Sequence, residues 1–253
     1  MRSEICPLGH FGQYKYVVVL SRYEGKILLS RHRMRSTWET QGGHIEPGET
    51  PLEAARRELY EESGAIAYDM IPLCDYHAWD EVTGKGATGV VFAADIHSLG
   101  DIPQGSEMAQ VRLFDALPEN VTYPAITPVL FAHLAELEPI SYTSIVGKNV
   151  HVVIDRPLGS AHPAYPDMIY PVNYGYVPSI FSPDGEEQDA YVLGVNHPGD
   201  HFEGEVIAVV HRKNDVEDKW VVAPKGIYFS REEIIRQLAF AEQYFCSELE
   251  IKA

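Results

Sequence analysis

The chain has 253 residues, 45% of them hydrophobic and 23% charged, the proportions of a globular protein rather than a disordered or fibrous one. Its length suits one large domain or two modest ones. The formal net charge is −17 and the acidic excess is spread over both halves, so neither carries the basic field that a nucleic-acid polymer or an anionic membrane attracts. Apolar runs such as Tyr16–Leu20 and Val206–Val210 are too short to span a bilayer. Met1, Arg2, Ser3 and Glu4 lack the basic-then-apolar layout of a secretory signal. Cys6, Cys74 and Cys246 are an odd number at wide spacing, with no zinc pattern. The expectation is a cytoplasmic protein with neither a membrane nor a nucleic-acid polymer as partner; the oligomeric state stays open.

In chain order, the sequence predicts a hairpin first: a strand over Tyr16–Leu20, a turn at Glu24-Gly25-Lys26, and a strand over Ile27–Ser30. A Gly-rich turn at Gly42-Gly43 leads into a helix over 50–63. Strands around Met70–Cys74 and Val90–Ala93, a loop, a strand at Gln110–Phe114 and a helix near Thr127–Glu136 follow. A polar seam from Leu137 to Gly147, holding Pro139, divides the chain into segments of about 1–140 and 146–253. The second segment predicts short strands at His151–Ile154, Ala190–Val195, Glu205–Val210 and Trp220–Val222, then a helix over Ser230–Glu248.

The helix over 50–63 has the clearest signals. Thr50 and Glu53 have capping-box spacing, Pro51 sits at the first helical position, and Gly64 is a C-terminal stop. Leu52, Ala55 and Leu59 share an inward face. Glu58, Glu61 and Glu62, at i, i+3 and i+4, come together on another. Three adjacent carboxylates repel one another. Either they form a solvated acidic face beside Arg56 and Arg57, or a divalent cation such as Mg2+ draws them together with water and substrate phosphates.

Gly43, Glu49, Arg57, Glu58, Leu59, Glu61, Glu62 and Gly64 fall in the order G-x5-E-x7-R-E-U-x-E-E-x-G, U being apolar. This resembles the signature of Nudix (MutT-like) hydrolases, over about residues 10–138. The resemblance implies an α/β/α sandwich with a mixed sheet that cleaves nucleoside diphosphate derivatives with Mg2+ or Mn2+. Glu58, Glu61, Glu62 and the Gly43 carbonyl would ligate metal, and Arg57 and Glu49 would orient the carboxylates. Glu107 stands where some members carry a further catalytic glutamate; its other reading is a solvated loop residue. Arg31, Arg33 and Arg35 alternate, so on a strand they share a face; they could grip phosphates, neutralise the acidic helix, or face water. Residues 117–130 resemble the branch acting on oxidised purine nucleotides such as 8-oxo-dGTP. Ile126 replaces that branch's base-reading Asn, and Gln41 the usual Pro before Gly-Gly. Tyr76, Trp79 and Tyr123 could stack on a base or pack in the core.

The second segment carries Tyr170-Pro-Val-Asn-Tyr-Gly-Tyr-Val-Pro, Asp184-Gly-Glu-Glu-Gln-Asp189 and Asp215-Val-Glu-Asp-Lys-Trp-Val-Val-Ala-Pro224. These resemble family I inorganic pyrophosphatases, mainly β barrels of OB-like topology. The resemblance implies that Asp184, Glu186 and Asp189, with Asp218 a further candidate ligand, hold metal, that Asp218 (or Glu217) and Lys219 form a later acid and base pair, and that Tyr174 and Tyr244 bind phosphate. The family's Lys-x-Glu has no counterpart, His162 stands for an Arg and Phe245 for a Lys; Arg156, Lys219 and Lys225 could compensate. Together the two resemblances imply a metal-dependent hydrolase that converts a nucleoside triphosphate to monophosphate and pyrophosphate, with a second site that splits the pyrophosphate. The alternatives are a Nudix hydrolase of ADP-ribose, a nucleotide sugar or a dinucleoside polyphosphate with a silent second module, or a nucleotide sensor.

Overall fold

The computed structural model describes residues 1–137 and 140–251; Pro139 lies outside the described residues. The chain divides into two compact units, one of Met1–Cys6 with Gln13–Ser144, the other of Pro7–Gly12 with Ile145–Ala253. Residues Pro7–Gly12, expected with the first segment, therefore belong to the second unit. No helix among the described residues is long and apolar enough to cross a membrane.

The first unit contains β1 (Arg2–Cys6), β2 (Tyr16–Tyr23), β3 (Lys26–His32), β4 (Gln41–His44), α1 (Pro51–Ser63), β5 (Ala65–Trp79), β6 (Gly86–Leu99), β7 (Met108–Phe114) and α2 (Thr127–Glu136). The sheet runs β1-β5-β6-β2-β3-β7, with β4 added to β2. Within it β2 and β6 are parallel, while the neighbouring pairs are antiparallel, so the sheet is mixed. Alternation along the strands sends Leu20, Leu29, Val91 and Ala93 into a core with Leu130, Phe131 and Leu134 of α2. The opposite parity meets α1: the Ser30 hydroxyl donates to the Glu62 carbonyl at 2.7 Å. Helices thus cover both faces, the α/β/α arrangement expected.

Two sequence expectations change here, and one strand had no expectation. Gly42-Gly43 lies in a strand, not a turn, because Gln41–His44 pairs with Tyr16–Val19. Arg31, Arg33 and Arg35 do not share a strand face, because β3 ends at His32 and the chain turns away. The N-terminal strand β1, for which the sequence carries no strong signal, pairs with Tyr76 and its neighbours at the edge of β5.

The second unit contains β8 (Asn149–Arg156), β9 (Asn173–Phe181), β10 (Glu187–Val192), β11 (His201–Arg212), β12 (Lys219–Ala223), α3 (Arg231–Glu242) and β13 (Ser247–Ile251). The order β12-β10-β9-β8-β11-β13, closed by β11 pairing with β12, makes a five-stranded barrel with β13 outside it. Tyr170, Tyr174, Tyr191, Leu193, Val210 and Val221 pack with Ile234 and Leu238 of α3. The helix expected over Ser230–Glu248 stops at Glu242. Ser247–Ile251 instead pairs with Ala208–Arg212, burying Leu249. The tyrosine motif, unassigned to any element from sequence, supplies β9.

Candidate active site

The acidic face of α1 is built from its first turn. The Thr50 hydroxyl accepts the Glu53 N–H at 3.3 Å and the Glu53 carboxylate accepts the Thr50 N–H at 2.8 Å, completing the capping box. Ala54, Ala55 and Leu59 are fully buried, anchoring the inner face, while Leu52 is half-buried. On the other side Arg57 grips Glu49 with two donors, Nε at 2.7 Å and Nη2 at 2.9 Å. The same guanidinium donates to Glu58 at 2.8 Å, to Glu61 at 3.4 Å and to the His44 carbonyl at 3.0 Å. One planar cation therefore ties β4, the following loop and the helix together. Those hydrogen bonds hold the Glu49 carboxyl down at about 2.

Glu62 points inward and accepts the Gly42 N–H at 2.9 Å. Burial pushes its carboxyl up to about 8 against that hydrogen bond, and the charges of Glu58, Glu39 and Glu107 add to the rise. Burial also raises Glu58, opposed by Arg57. Gly43 leaves room for this cluster: a Cβ there would lie 2.2 Å from Glu58 Oε1. Beneath it runs a buried polar chain, in which Ser21 donates to Gln41 at 2.7 Å and Gln41 donates to Ser30 at 2.8 Å. Gln41, fully buried, thus gives a side-chain link between strands where the family's Pro would make none.

The oxygens of Glu58, Glu61 and Glu62 do not all lie within 4.8 Å of one another. The donor set nevertheless fits a divalent cation. Glu58 and Glu62, whose proton affinity burial raises, sit with the exposed Glu61 beside a glycine whose missing Cβ keeps the approach open, and such oxygen-rich sets suit Mg2+. Glu107 is exposed and pairs with His32 at 3.2 Å. Arg31 donates to Gln110 at 3.2 Å, and Arg33 to the Met108 carbonyl at 3.3 Å, so both brace β7.

Glu39 was missed from sequence. It is buried, one oxygen accepts from Arg35 at 2.5 Å, and Oε1 has no hydrogen-bond partner. A lone Glu in Trp38-Glu39-Thr40 gives no periodic signal; its meaning comes from burial. Of the aromatic candidates, Tyr76 is core, Trp79 stacks on His77 at 5.0 Å, and Tyr123 is half-exposed beside Arg35.

In the second unit, Tyr174, Asp189, Lys219 and Tyr244 line one cavity of about 1130 Å³, together with Arg156, Tyr191 and Arg212. Buried Lys219 donates to Asp189 at 2.6 Å and also to Glu217; the Tyr174 hydroxyl donates to the same Asp189 oxygen. The Arg156 guanidinium stands 5.0 Å over the Tyr174 ring. The rest of the expected acidic set goes elsewhere. Asp184 and Glu186 are exposed in the β9–β10 turn, where Asp184 caps the Glu186 N–H. Asp218 pairs with His211 at 2.6 Å, and Glu217 takes the place expected for it. Arg212, missed from sequence, is buried and fixed by Glu242 at 2.6 Å, by Asp215 at 3.1 Å and by the Tyr191 hydroxyl at 3.3 Å. Of the run Asp184–Asp189, only Asp189 lines the cavity, where it is paired with Lys219, so these side chains as placed do not gather the carboxylates of a metal pair.

Comparison with known proteins matches residues 13–122 to the NUDIX domain and residues 147–227 to inorganic pyrophosphatase. A Bacillus subtilis protein named as a candidate 8-oxo-dGTP diphosphatase, YtkD, is 38% identical over 110 residues, 43% of this chain and 66% of that protein. An RNA pyrophosphohydrolase of Yersinia pestis is 36% identical over 62 residues, 24% of this chain and 35% of the relative. The chain therefore spans between about a third and two thirds of these relatives. A crystal structure of the Bacillus subtilis pyrophosphohydrolase BsRppH aligns with 29% identity and a TM-score of 0.47, covering 55% of this chain and 93% of that one.

Proposed function

We propose that this chain, which joins a Nudix domain at residues 13–122 to an inorganic pyrophosphatase domain at residues 147–227, hydrolyses a nucleoside triphosphate to monophosphate and pyrophosphate. The observation that carries the reading is the α1 site: Glu58, Glu61 and Glu62 on one helix face, set by Arg57 against Gly43. Glu58, Glu61, Glu62 and the Gly43 carbonyl would hold Mg2+ or Mn2+. The ion would neutralise charge building on the phosphoryl oxygens and acidify a nearby water. Glu62, fixed by the Gly42 N–H, and Glu58, fixed by Arg57, place the negative charge. Glu61 has half its side chain exposed and touches Arg57 at only 3.4 Å, so it has the freedom to take a proton from water. Water adds to the α-phosphorus and gives its proton to Glu61, the α–β anhydride bond breaks, and the departing pyrophosphate carries away the bond's electron pair.

The barrel cavity supports the binding of the pyrophosphate product rather than its hydrolysis. Arg156 and Lys219 line it as cationic donors, while Asp184 and Glu186 are exposed and not part of its lining. Likeness to YtkD favours an oxidised purine triphosphate such as 8-oxo-dGTP as substrate. A second reading, pyrophosphohydrolysis of RNA, is favoured by the RNA pyrophosphohydrolase relatives.

Steady-state turnover of dGTP, 8-oxo-dGTP and an RNA with a 5′ triphosphate, with Mg2+, tests the substrate. Glu61→Gln should lower kcat on the order of 100-fold or more, the scale of a lost general base. Unchanged turnover would remove Glu61 from the chemistry. Titration calorimetry with pyrophosphate should show binding that Arg156→Gln weakens at least tenfold; equal affinity in the variant would empty the cavity of this role.

A further inference from the structure

Among the described residues, one group of three potential ligands has all its ligand atoms within 4.8 Å of one another: His10, His151 and Glu203. It belongs to neither site above. Glu203 on β11 lies directly opposite His151 on β8 in the antiparallel register, so their side chains share one face of the barrel wall. His201, two residues before Glu203 on that face, stacks on His151 with ring centroids 5.3 Å apart.

His10 arrives from the other end of the chain. Leu8, fully buried, bridges to Val150: its N–H donates to the Asn149 carbonyl at 3.0 Å and its carbonyl accepts the His151 N–H at 2.7 Å. Gly9 then turns the chain at φ +82°, where a Cβ would meet Val177 Cγ1 at 2.7 Å, so this tight turn needs glycine. The turn sets His10 Nδ1 at 3.2 Å from Glu203 Oε1, while His151 Nδ1 lies 3.5 Å from the same oxygen. His151 Nδ1 is buried and makes no hydrogen bond, a nitrogen aimed into the cluster with its lone pair or proton unsatisfied.

We propose that His10, His151 and Glu203 bind a transition-metal dication of the Zn2+ type, which clips the Pro7–Gly12 segment onto the barrel. Two imidazoles and a carboxylate from three separate stretches of chain form a three-ligand set that leaves a fourth position for water. Imidazole nitrogens select such ions over Mg2+, which prefers oxygen. The site is therefore chemically distinct from the carboxylate cluster on α1.

Titration calorimetry of metal-stripped full-length protein with ZnCl2, in millimolar Mg2+, tests this. The expected result is one tight Zn2+ per chain. His10→Ala and Glu203→Gln should each weaken it by at least the roughly 10–100-fold that loss of a supporting partner costs. Glu62→Gln should leave that tight site unchanged, which separates it from the α1 cluster. Zn2+ should raise the wild-type melting temperature and not that of Glu203→Gln, whose near-isosteric amide keeps the fold if His10→Ala disturbs it. Absence of tight Zn2+ binding in the wild type, equal affinity in both cluster variants, or loss of the tight site in Glu62→Gln would each overturn the proposal.

Discussion

Glu62 sits in a buried, acidic setting that works against its charge. Its carboxyl is pushed from the ordinary 4.5 to about 8, chiefly by burial, so the folded metal-free chain holds a proton that the unfolded chain releases. Its contribution to stability is present below about pH 4.5 and is lost as pH rises through about 8. Glu62→Gln, permanently neutral, should abolish this part of the pH dependence. Thermal unfolding of metal-free wild type and variant across that range checks it, and parallel profiles would contradict the assignment. Arg57 works in the opposite sense, as the fork that holds Glu49, Glu58 and Glu61 at once. Lysine keeps the charge but not the fork, so Arg57→Lys should lower kcat/KM at least tenfold with the protein still folded by circular dichroism. Motif spacing makes Arg57, Glu58, Glu61 and Glu62 legible as a set from the amino-acid order alone. Glu39 is not legible in that way, because only burial distinguishes it from a surface glutamate.

At the scale of elements, sequence signals succeeded where local chemistry decides. The helix α1 begins at Pro51 after a capping box and ends before Gly64. Thr50→Ala removes the cap and should cost about 1 kcal/mol in denaturant unfolding. Leu59→Ala, from a fully buried site under the acidic face, should cost about 2–5 kcal/mol and loosen the carboxylates above it. If both cost the same, the helix would not be anchored through Leu59. Signals failed where a distant partner decides. Gly42-Gly43 has turn chemistry, yet β2 pairs with it. The sequence reading carries the last helix on to Glu248, yet it ends at Glu242 and Ser247–Ile251 pairs with β11. The acidic run at 184–189 reads as one unit, yet the turn faces Asp184 and Glu186 to solvent while β10 carries Asp189 to Lys219. In the barrel, Glu242 is held below the usual carboxylate range by Arg212, Ser247 and Tyr191 against its burial. Its stabilising contribution is therefore present above about pH 4.5 and lost as pH falls through its depressed value. Arg212→Met, which leaves that carboxylate buried without its partner, should destabilise the barrel by about 3–5 kcal/mol.

For the molecule as a whole, the two-part organisation was legible because each part carries its own motif; the crossing of Pro7–Gly12 into the second unit was not, because Leu8 and Gly9 acquire meaning only beside β8 and β9. The central claim is a division of labour: bond breaking at α1, anion binding in the barrel. Phosphorus NMR of 8-oxo-dGTP and dGTP turnover by the full chain with Mg2+ tests it most directly. The account predicts monophosphate with pyrophosphate accumulating in equal amount, both forming on the order of 100-fold more slowly with Glu61→Gln. Orthophosphate appearing with only transient pyrophosphate, and suppressed by Asp189→Asn, would contradict it and make the barrel a second hydrolytic centre.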